Sequence, residues 1–295
     1  MMTSKMILPN FLDVFLESCD VQIDLNELEN LFEQIEAHSF SFSKFISLLT
    51  ETKIWQSLAD QNAYYKQLCY YLALEIERFH SQLEKQPAYH SISHFIDVCF
   101  SVSVLCAADL HLSKSTGTSI WITQKEDYWL LLFCAIGHDY GHDGRFNTTP
   151  QQLEKKSIQL IDTFLDNQNL DPSFKSRLIK KIEPIILATD PQSYPTIFLK
   201  FSHQDTETLQ PIDYLSMLII EADILASVLP KRGLVLSQKL SLEWSEHSPK
   251  ASADVITKEG RLRFLNYVQF LSPQSRLLGI NNFQQLSKEL SMVDR

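Results

Sequence analysis

Apolar positions recur at helical intervals along most of the chain. Leu68, Leu72, Ile76, Phe79 and Leu83 mark one face of a long helix that ends before Pro87. Asp24 with Glu27, ahead of the run LNELENLFEQIEAH, forms a capping-box start. The same periodicity predicts helices over residues 91–112, 126–139, 151–167, 173–189, 212–228, 235–246, 253–271 and 283–292, and nothing reads as a strand. Turn-forming residues gather at SKSTGTS (113–119), DGRFNTTP (143–150), TDPQSYPT (189–196) and HQDTETLQP (203–211). None of these is long enough for an interdomain linker, and there is no repeat. The expected architecture is therefore all-α: a compact helical bundle over residues 56–295, with residues 1–55 as an N-terminal helical appendage packed against it.

Two segments lack a polar face. Trp129 to Ile136 is an unbroken apolar stretch, and YLSMLIIEADILASVLP, Tyr214 to Pro230, is interrupted only by Glu221 and Asp223. Helices of that kind belong in an interior.

Composition narrows the function classes. A chain of 295 residues with 44% hydrophobic content can bury a large core, and 7 glycines with 11 prolines favour helix over turn-rich sheet. A formal net charge of −10 disfavours a nucleic-acid polymer as partner. Cysteines at 19, 69, 99, 106 and 134 form no C-x-x-C pair and mostly sit in apolar helical patterns, so they are expected as buried, reduced thiols. The N-terminal segment turns acidic before a signal-peptide core accumulates, and no run approaches the ~20 apolar residues of a membrane span. The expectation is a soluble, cytoplasmic protein with no membrane partner.

The candidate chemistry starts at AIGHDYGHDG, Ala135 to Gly144, which holds Gly137, Gly141 and Gly144 beside His138, Asp139 and His142. The apolar run before it delivers His138 and Asp139 into the interior, where an ionised carboxylate is costly unless a partner such as a divalent cation satisfies it. In YHSISHFIDV, Tyr89 to Val98, His94 and Asp97 fall on neighbouring parts of one helix face, with His90 at the helix mouth. Alone, such a pair reads as a solvated histidine and a bonded core histidine. Asp223, beside the apolar face of Leu218, Ile219, Ala222 and Ala226, needs a cation or donors of its own. Together His94, His138, Asp139 and Asp223 make a mixed nitrogen and oxygen set suited to Zn²⁺, Fe²⁺ or Mn²⁺, with positions left for water.

The order H…HD…D resembles that of the HD-domain metal-dependent phosphohydrolases. More closely, YHSISHFIDV resembles the Y-H-x-x-x-H-x-x-D-V signature of class I cyclic-nucleotide phosphodiesterases. HDYGHDGRFN is similar to their H-D-x-x-H-x-G-x-x-N, ILATD (186–190) to their helix of the same wording, and EADILASVLP to their A-D-I-x-x-x-x-x-P. The match spans Tyr89 to Pro230. The resemblance implies an all-α bundle that hydrolyses a small-molecule phosphoester, a 3',5'-cyclic nucleotide, to the 5'-monophosphate. It implies two divalent ions: the first held by His94, His138, Asp139 and Asp223, the second, Mg²⁺ or Mn²⁺, mostly hydrated and bridged by Asp139. His142 then steadies the water between them, and His90 is the general acid. Tyr89, Asn147, Gln269 and Phe270 are the substrate-contact candidates, and Glu154 stands where the family's Leu-Glu glutamate serves metal-bound water.

The chain also departs from the family. Ser91 and Asp143 stand where Asn and Pro are usual, Lys156 and Ser157 replace histidines after Glu154, and the segment NTTPQQLEKKS is shorter than its counterpart. RLRFLNYVQFLSPQSRLLG offers Gln269, Phe270 and Gln274 without the family's Gln-x-x-Phe spacing. A remodelled entrance is expected. The same residues are compatible with two other readings: an HD phosphohydrolase of another phosphorylated small molecule, and a non-catalytic interaction protein stabilised by its metal. No particular protein partner is indicated.

Overall fold

The computed structural model describes residues 7–18, 23–59, 63–116, 121–202 and 209–292. Among these residues there are sixteen α-helices and no strand. Helices α1 (Ile7–Ser18), α2 (Leu25–Ala37), α3 (Phe42–Thr50) and α4 (Lys53–Ser57) precede α5 (Ala63–Ser81). Helices α6 (Ile92–Thr116), α7 (Lys125–Gly137) and α11 (Pro211–Val228) form the centre, each packed on the other two. Their sequences explain that position. Tyr128 to Gly137 of α7 and Leu215 to Ala222 of α11 are buried without a gap, as helices lacking a polar stripe must be. Each fully buried Leu, Ile or Phe in them contributes on the order of 1.5–3 kcal/mol.

Around this centre, α5, α8 (Gln152–Asp166) and α9 (Pro172–Leu187) pack on α7, and α10 (Tyr194–Ser202) follows a single 3₁₀ turn. The C-terminal helices α12 (Pro230–Trp244), α13 (Pro249–Val255), α14 (Lys258–Tyr267), α15 (Pro273–Leu277) and α16 (Ile280–Met292) close the other side. Helices α1 to α3 lie against α5, α6 and α12, and Leu12, Phe32 and Phe45 belong to the same hydrophobic cluster as the rest of the chain.

Five of the late helices open on proline, at 172, 211, 230, 249 and 273. At a first helical position the fixed φ is favourable and the missing N–H is no loss. Pro230 matters most for the site. The residue before a proline is held extended, and Leu229, at φ −66° and ψ 146°, both ends α11 and precedes α12. That one-residue corner sends α12 back across the bundle, so that Glu243 in its last turn reaches the backbone of Tyr89 and His90.

The structure differs from the sequence-based expectation in three segments. The helix expected over 253–271 is two helices, because Thr257 leaves helical geometry and its side-chain oxygen caps α14 by accepting from the Gly260 amide at 3.0 Å. The chain then becomes extended at Val268. Helix α6 runs on to Thr116, inside the expected 113–119 turn, and α10 occupies part of the expected 189–196 loop. Of the 203–211 loop, residues 203–208 lie outside the described residues.

One expectation about the membrane is corrected. Ile92–Lys114 of α6 is long and apolar enough to cross a bilayer by length and composition, with mean hydropathy 1.7, but 83% of its most apolar 18-residue window is buried inside the bundle. Cys69, Cys99, Cys106 and Cys134 are buried free thiols, and Cys19 lies outside the described residues.

Candidate metal centre and active-site pocket

Three helices deliver four donor atoms to one point. His94 projects from the first turn of α6, His138 caps the C-terminus of α7 with Asp139 next to it, and Asp223 lies two-thirds of the way along α11. His94 Nε2 is 3.2 Å from Asp139 Oδ2 and 3.3 Å from Asp223 Oδ1. His138 Nε2 is 3.1 Å from Asp139 Oδ2, 3.5 Å from Asp223 Oδ1 and 3.3 Å from His94 Nε2. His138 Nδ1 donates to the Ala135 carbonyl at 3.0 Å, which leaves the Nε2 lone pair facing the cluster.

These separations test whether an ion fits. Metal–ligand bonds of about 2.0–2.2 Å give donor–donor edges of about 2.8–3.6 Å around a tetrahedral or octahedral ion, and the five edges that join the two imidazoles to each other and to the carboxylates run from 3.1 to 3.5 Å. The charges agree. Burial pushes the His94 imidazole down, but Asp139 and Asp223 outweigh it and hold it up at about 9. His138 behaves likewise. Burial raises both carboxyls, yet the two imidazoles pull Asp139 well below the usual range and Asp223 to about 2. Two nearly touching imidazoles and two carboxylates favour positive charge between them: protons on the imidazoles supply it when no ion is present, and a single divalent cation would displace those protons and meet all four donors.

Beside this cluster, His90 and His142 stack face to face with ring centroids 3.5 Å apart. His90 Nδ1 donates to Glu243 Oε1 at 2.5 Å, and Glu243 Oε2 accepts the amides of Tyr89 and His90 at 2.8 and 3.0 Å. Burial pushes the Glu243 carboxyl up, but His90 and these amides hold it down at about 2, so it is the acceptor and His90 Nδ1 carries hydrogen. The free His90 Nε2 lies 3.9 Å from Asp139 Oδ2. His142 is oriented the opposite way: its Nδ1 accepts the Gly144 amide at 3.0 Å. Burial and the neighbouring His90 push its pKa down to about 3, so the ring is neutral with hydrogen on Nε2. The ligand atoms of His90, Asp139 and His142 are close enough to share an ion, but the Gly144 bond suits His142 better to donating to water than to ligation. The chain doubles back here through Gly141 and Gly144, at φ 81° and 79°, conformations that side chains disfavour. Lys156 Nζ ties the turn down by donating to the Gly141 carbonyl at 2.6 Å.

His90, Asp139, His142 and Asp223 line a cavity of about 420 Å³, which is ligand-sized. Cavities of about 580 and 590 Å³ elsewhere contain no histidine. Tyr89, Asn147 and Glu154 line the 420 Å³ cavity. Asn147 Nδ2 donates to Glu154 Oε2 at 3.0 Å, and burial pushes the Glu154 carboxyl up to about 7. Asp190 pins the loop by accepting the amide of Gln151, a residue held at φ 61°.

Gln269 and Phe270 do not reach the cavity. After α14 the chain is not helical, so successive side chains point to opposite sides: Val268 is buried, Gln269 is exposed, and Phe270, 3% exposed, joins the hydrophobic core. The apolar wall is made instead by Phe264, Tyr267 and Val268 with Trp244 and Leu240 of α12. Sequence reasoning missed that wall, and it missed Glu243. The Thr257 cap was the signal available for the wall. Nothing local marked Glu243, which sits in the polar run SLEWSEH.

Comparison with solved structures places the architecture. The chain is similar to LmjPDEB1 in complex with IBMX, with a TM-score of 0.65 and 14% identity over 94% of this chain and 91% of that one. It is also similar to the phosphodiesterase domain of the RhoPDE fusion protein from the choanoflagellate Salpingoeca rosetta, with a TM-score of 0.60 and 15% identity over 86% and 90% of the two chains. The chain has a phosphodiesterase-domain fold. A second structure of that Salpingoeca rosetta domain agrees, with a TM-score of 0.60 and 16% identity over 87% and 88%. No family model matches the chain, and no curated protein matches it in sequence. Within this fold Asp139 and Asp223 line the 420 Å³ cavity while His94 and His138 are buried, and Leu240 and Trp244 of α12 close one side of it.

Proposed function

We propose that the protein is a metal-dependent phosphodiesterase that hydrolyses a 3',5'-cyclic nucleotide to the 5'-monophosphate. The observation that carries this reading is the joining of two devices in one cavity: a four-donor cluster with edges of 3.1 to 3.5 Å, and a histidine locked to a buried carboxylate beside it. His94, His138, Asp139 and Asp223 would hold one ion of the Zn²⁺, Fe²⁺ or Mn²⁺ class. Asp139, with His90 and His142 close enough to share an ion, would serve a second, Mg²⁺ or Mn²⁺, and Glu154 and His142 line the same cavity. When bound, such ions supply Lewis acidity at the phosphoryl oxygens and a more acidic water.

The residues of the chain do the rest. His90 holds a proton on Nε2 for the departing sugar oxygen, an alkoxide that leaves poorly unprotonated. Glu243, fixed by two backbone amides, keeps the His90 ring in its tautomer and orientation. The neutral Nε2–H of His142 donates to water at the floor of the cavity. Phosphoryl transfer asks for little beyond this positioning and charge stabilisation.

The test is incubation of the purified chain with cyclic AMP or cyclic GMP and Mn²⁺ or Mg²⁺. The expected product is the 5'-monophosphate, and its absence with every ion contradicts the proposal. Cleavage of linear phosphoesters alone, surviving His90→Ala, points instead to a phosphohydrolase of another small molecule.

A further inference from the structure

Glu243 reaches His90 from the end of a helix, and helix ends fray. Glu243 and Trp244 are the last two residues of α12. On the solvent side little fastens them: Leu242 is 65% exposed, and the ion pair of Lys85 with Glu246 is exposed at both partners, an arrangement that contributes little. On the cavity side the turn between α7 and α8 meets both residues. Gly144 lies against Glu243, where a methyl group would stand 2.8 Å from Cγ. Further along the turn, the Phe146 ring packs on the Trp244 ring with centroids 4.3 Å apart and planes inclined by 40°. The same turn holds His142, whose ring lies on that of His90.

Phe146 is 45% exposed, so it adds little to the core. It also fills a position that the H-D-x-x-H-x-G-x-x-N pattern leaves open. What the ring gains is Trp244, and aromatic pairs of this kind attract beyond the area they bury. The pair therefore joins the turn to α12 directly beside Glu243. That carboxylate acts only while it stays on His90 Nδ1 and on the amides of Tyr89 and His90. A small swing of the helix end takes it off these partners and leaves the donors on α6, α7 and α11 in place.

We propose that Phe146 and Trp244 form a latch that holds Glu243, and through it His90, in place for proton donation to the leaving group. Both are positioning residues in this role. The assignment rests on the phosphodiesterase reading and adds to it a dependence of the acid step on an aromatic contact outside the metal cluster.

Both rings also line the main cavity, so the test uses diesters without a base. With Mn²⁺ present, kcat/KM is measured for diphenyl phosphate, whose phenolate leaves poorly unprotonated, and for bis(p-nitrophenyl) phosphate, whose p-nitrophenolate leaves without an acid. The expected result is that Phe146→Ala lowers the ratio of the first to the second by about three- to tenfold. Glu243→Gln lowers it at least as far, Phe146→Tyr restores it, and Phe146→Ala with Trp244→Ala falls no further than either alone. On any cyclic nucleotide that is cleaved, the Phe146→Ala loss falls on kcat. A ratio unchanged in Phe146→Ala, a loss shared equally by both diesters, additive losses in the double variant, or a nucleotide effect confined to KM overturns the latch and leaves the phosphodiesterase reading standing. A ratio that Glu243→Gln leaves unchanged overturns the latch together with the acid role of His90. No cleavage of either diester, cyclic AMP or cyclic GMP overturns the reading and the latch together.

Discussion

Helix α6 carries two buried charged clusters about one turn apart, and they close in different ways. At Asp97 the protein supplies every counter-charge. Arg232 Nη2 donates to Asp97 Oδ2 at 2.7 Å, Arg232 and Lys239 both pair with Glu36, and Glu29 accepts the amides of Lys231 and Arg232 at 2.6 and 3.1 Å. That network fastens α2 to α6 and α12. At His94 the protein supplies only acceptors and imidazoles, and their lone pairs converge. A buried carboxylate answered by an arginine is a tie, whereas carboxylates and imidazoles aimed at a common point form a receptor for a cation. In sequence the two are hard to separate, because His94 and Asp97 belong to the same motif.

Substitutions sharpen the contrast. The largest expected effect is on activity at the open cluster: Asp139→Asn removes a charge from the ion and from the developing phosphoryl negative charge, with an expected loss of about a thousandfold or more in diester hydrolysis. Retention of wild-type rates would break the contrast outright. At the closed cluster the effect moves to stability. Arg232→Met leaves Asp97, whose carboxyl burial already pushes up, without its guanidinium, and the expected cost is about 3–5 kcal/mol in denaturant unfolding. Bound metal per folded molecule should stay at the wild-type level. Glu243→Gln lies between the two: it keeps the fold and the metal but weakens the support of His90, for a loss of roughly a hundredfold in kcat, read from steady-state kinetics on a cyclic nucleotide.

The smallest effect is a pH dependence. Burial raises the Glu36 carboxyl, but Lys239 and Arg232 pull it below its ordinary 4.5. A depressed folded pKa gives stability that is present above 4.5 and is lost as pH falls through the folded value. Thermal unfolding from pH 6 to pH 3 should therefore show a shallower acid limb in Glu36→Gln than in the wild-type chain.

Legibility in the sequence followed how local each determinant is. The unbroken apolar runs of α7 and α11 announced buried helices, and a histidine or aspartate at the end or middle of such a run has few ways to be satisfied. His138, Asp139 and Asp223 were accordingly visible before any coordinates, whereas His94, outside those runs, was legible only alongside them and through the motif YHSISHFIDV. Glu243 was not, because a glutamate in a polar stretch reads as solvated surface, and only the corner at Leu229 and Pro230 carries it to His90. Gln269 and Phe270 were misplaced for a related reason. A continuous helical period over 253–271 hides the Thr257 cap and the extended backbone at Val268, and one change from helix to extended chain reverses which side chains face the cavity.

The most direct measurement is elemental analysis of the folded chain after exposure to Zn²⁺, Fe²⁺ or Mn²⁺ and removal of free ions, alongside Asp223→Asn. The expected result is one ion retained per wild-type molecule and its loss from the variant, with both folded by circular dichroism. A folded wild-type chain that retains none of these ions, or a variant that holds its ion as tightly, would contradict the convergence of the four side chains on a cation.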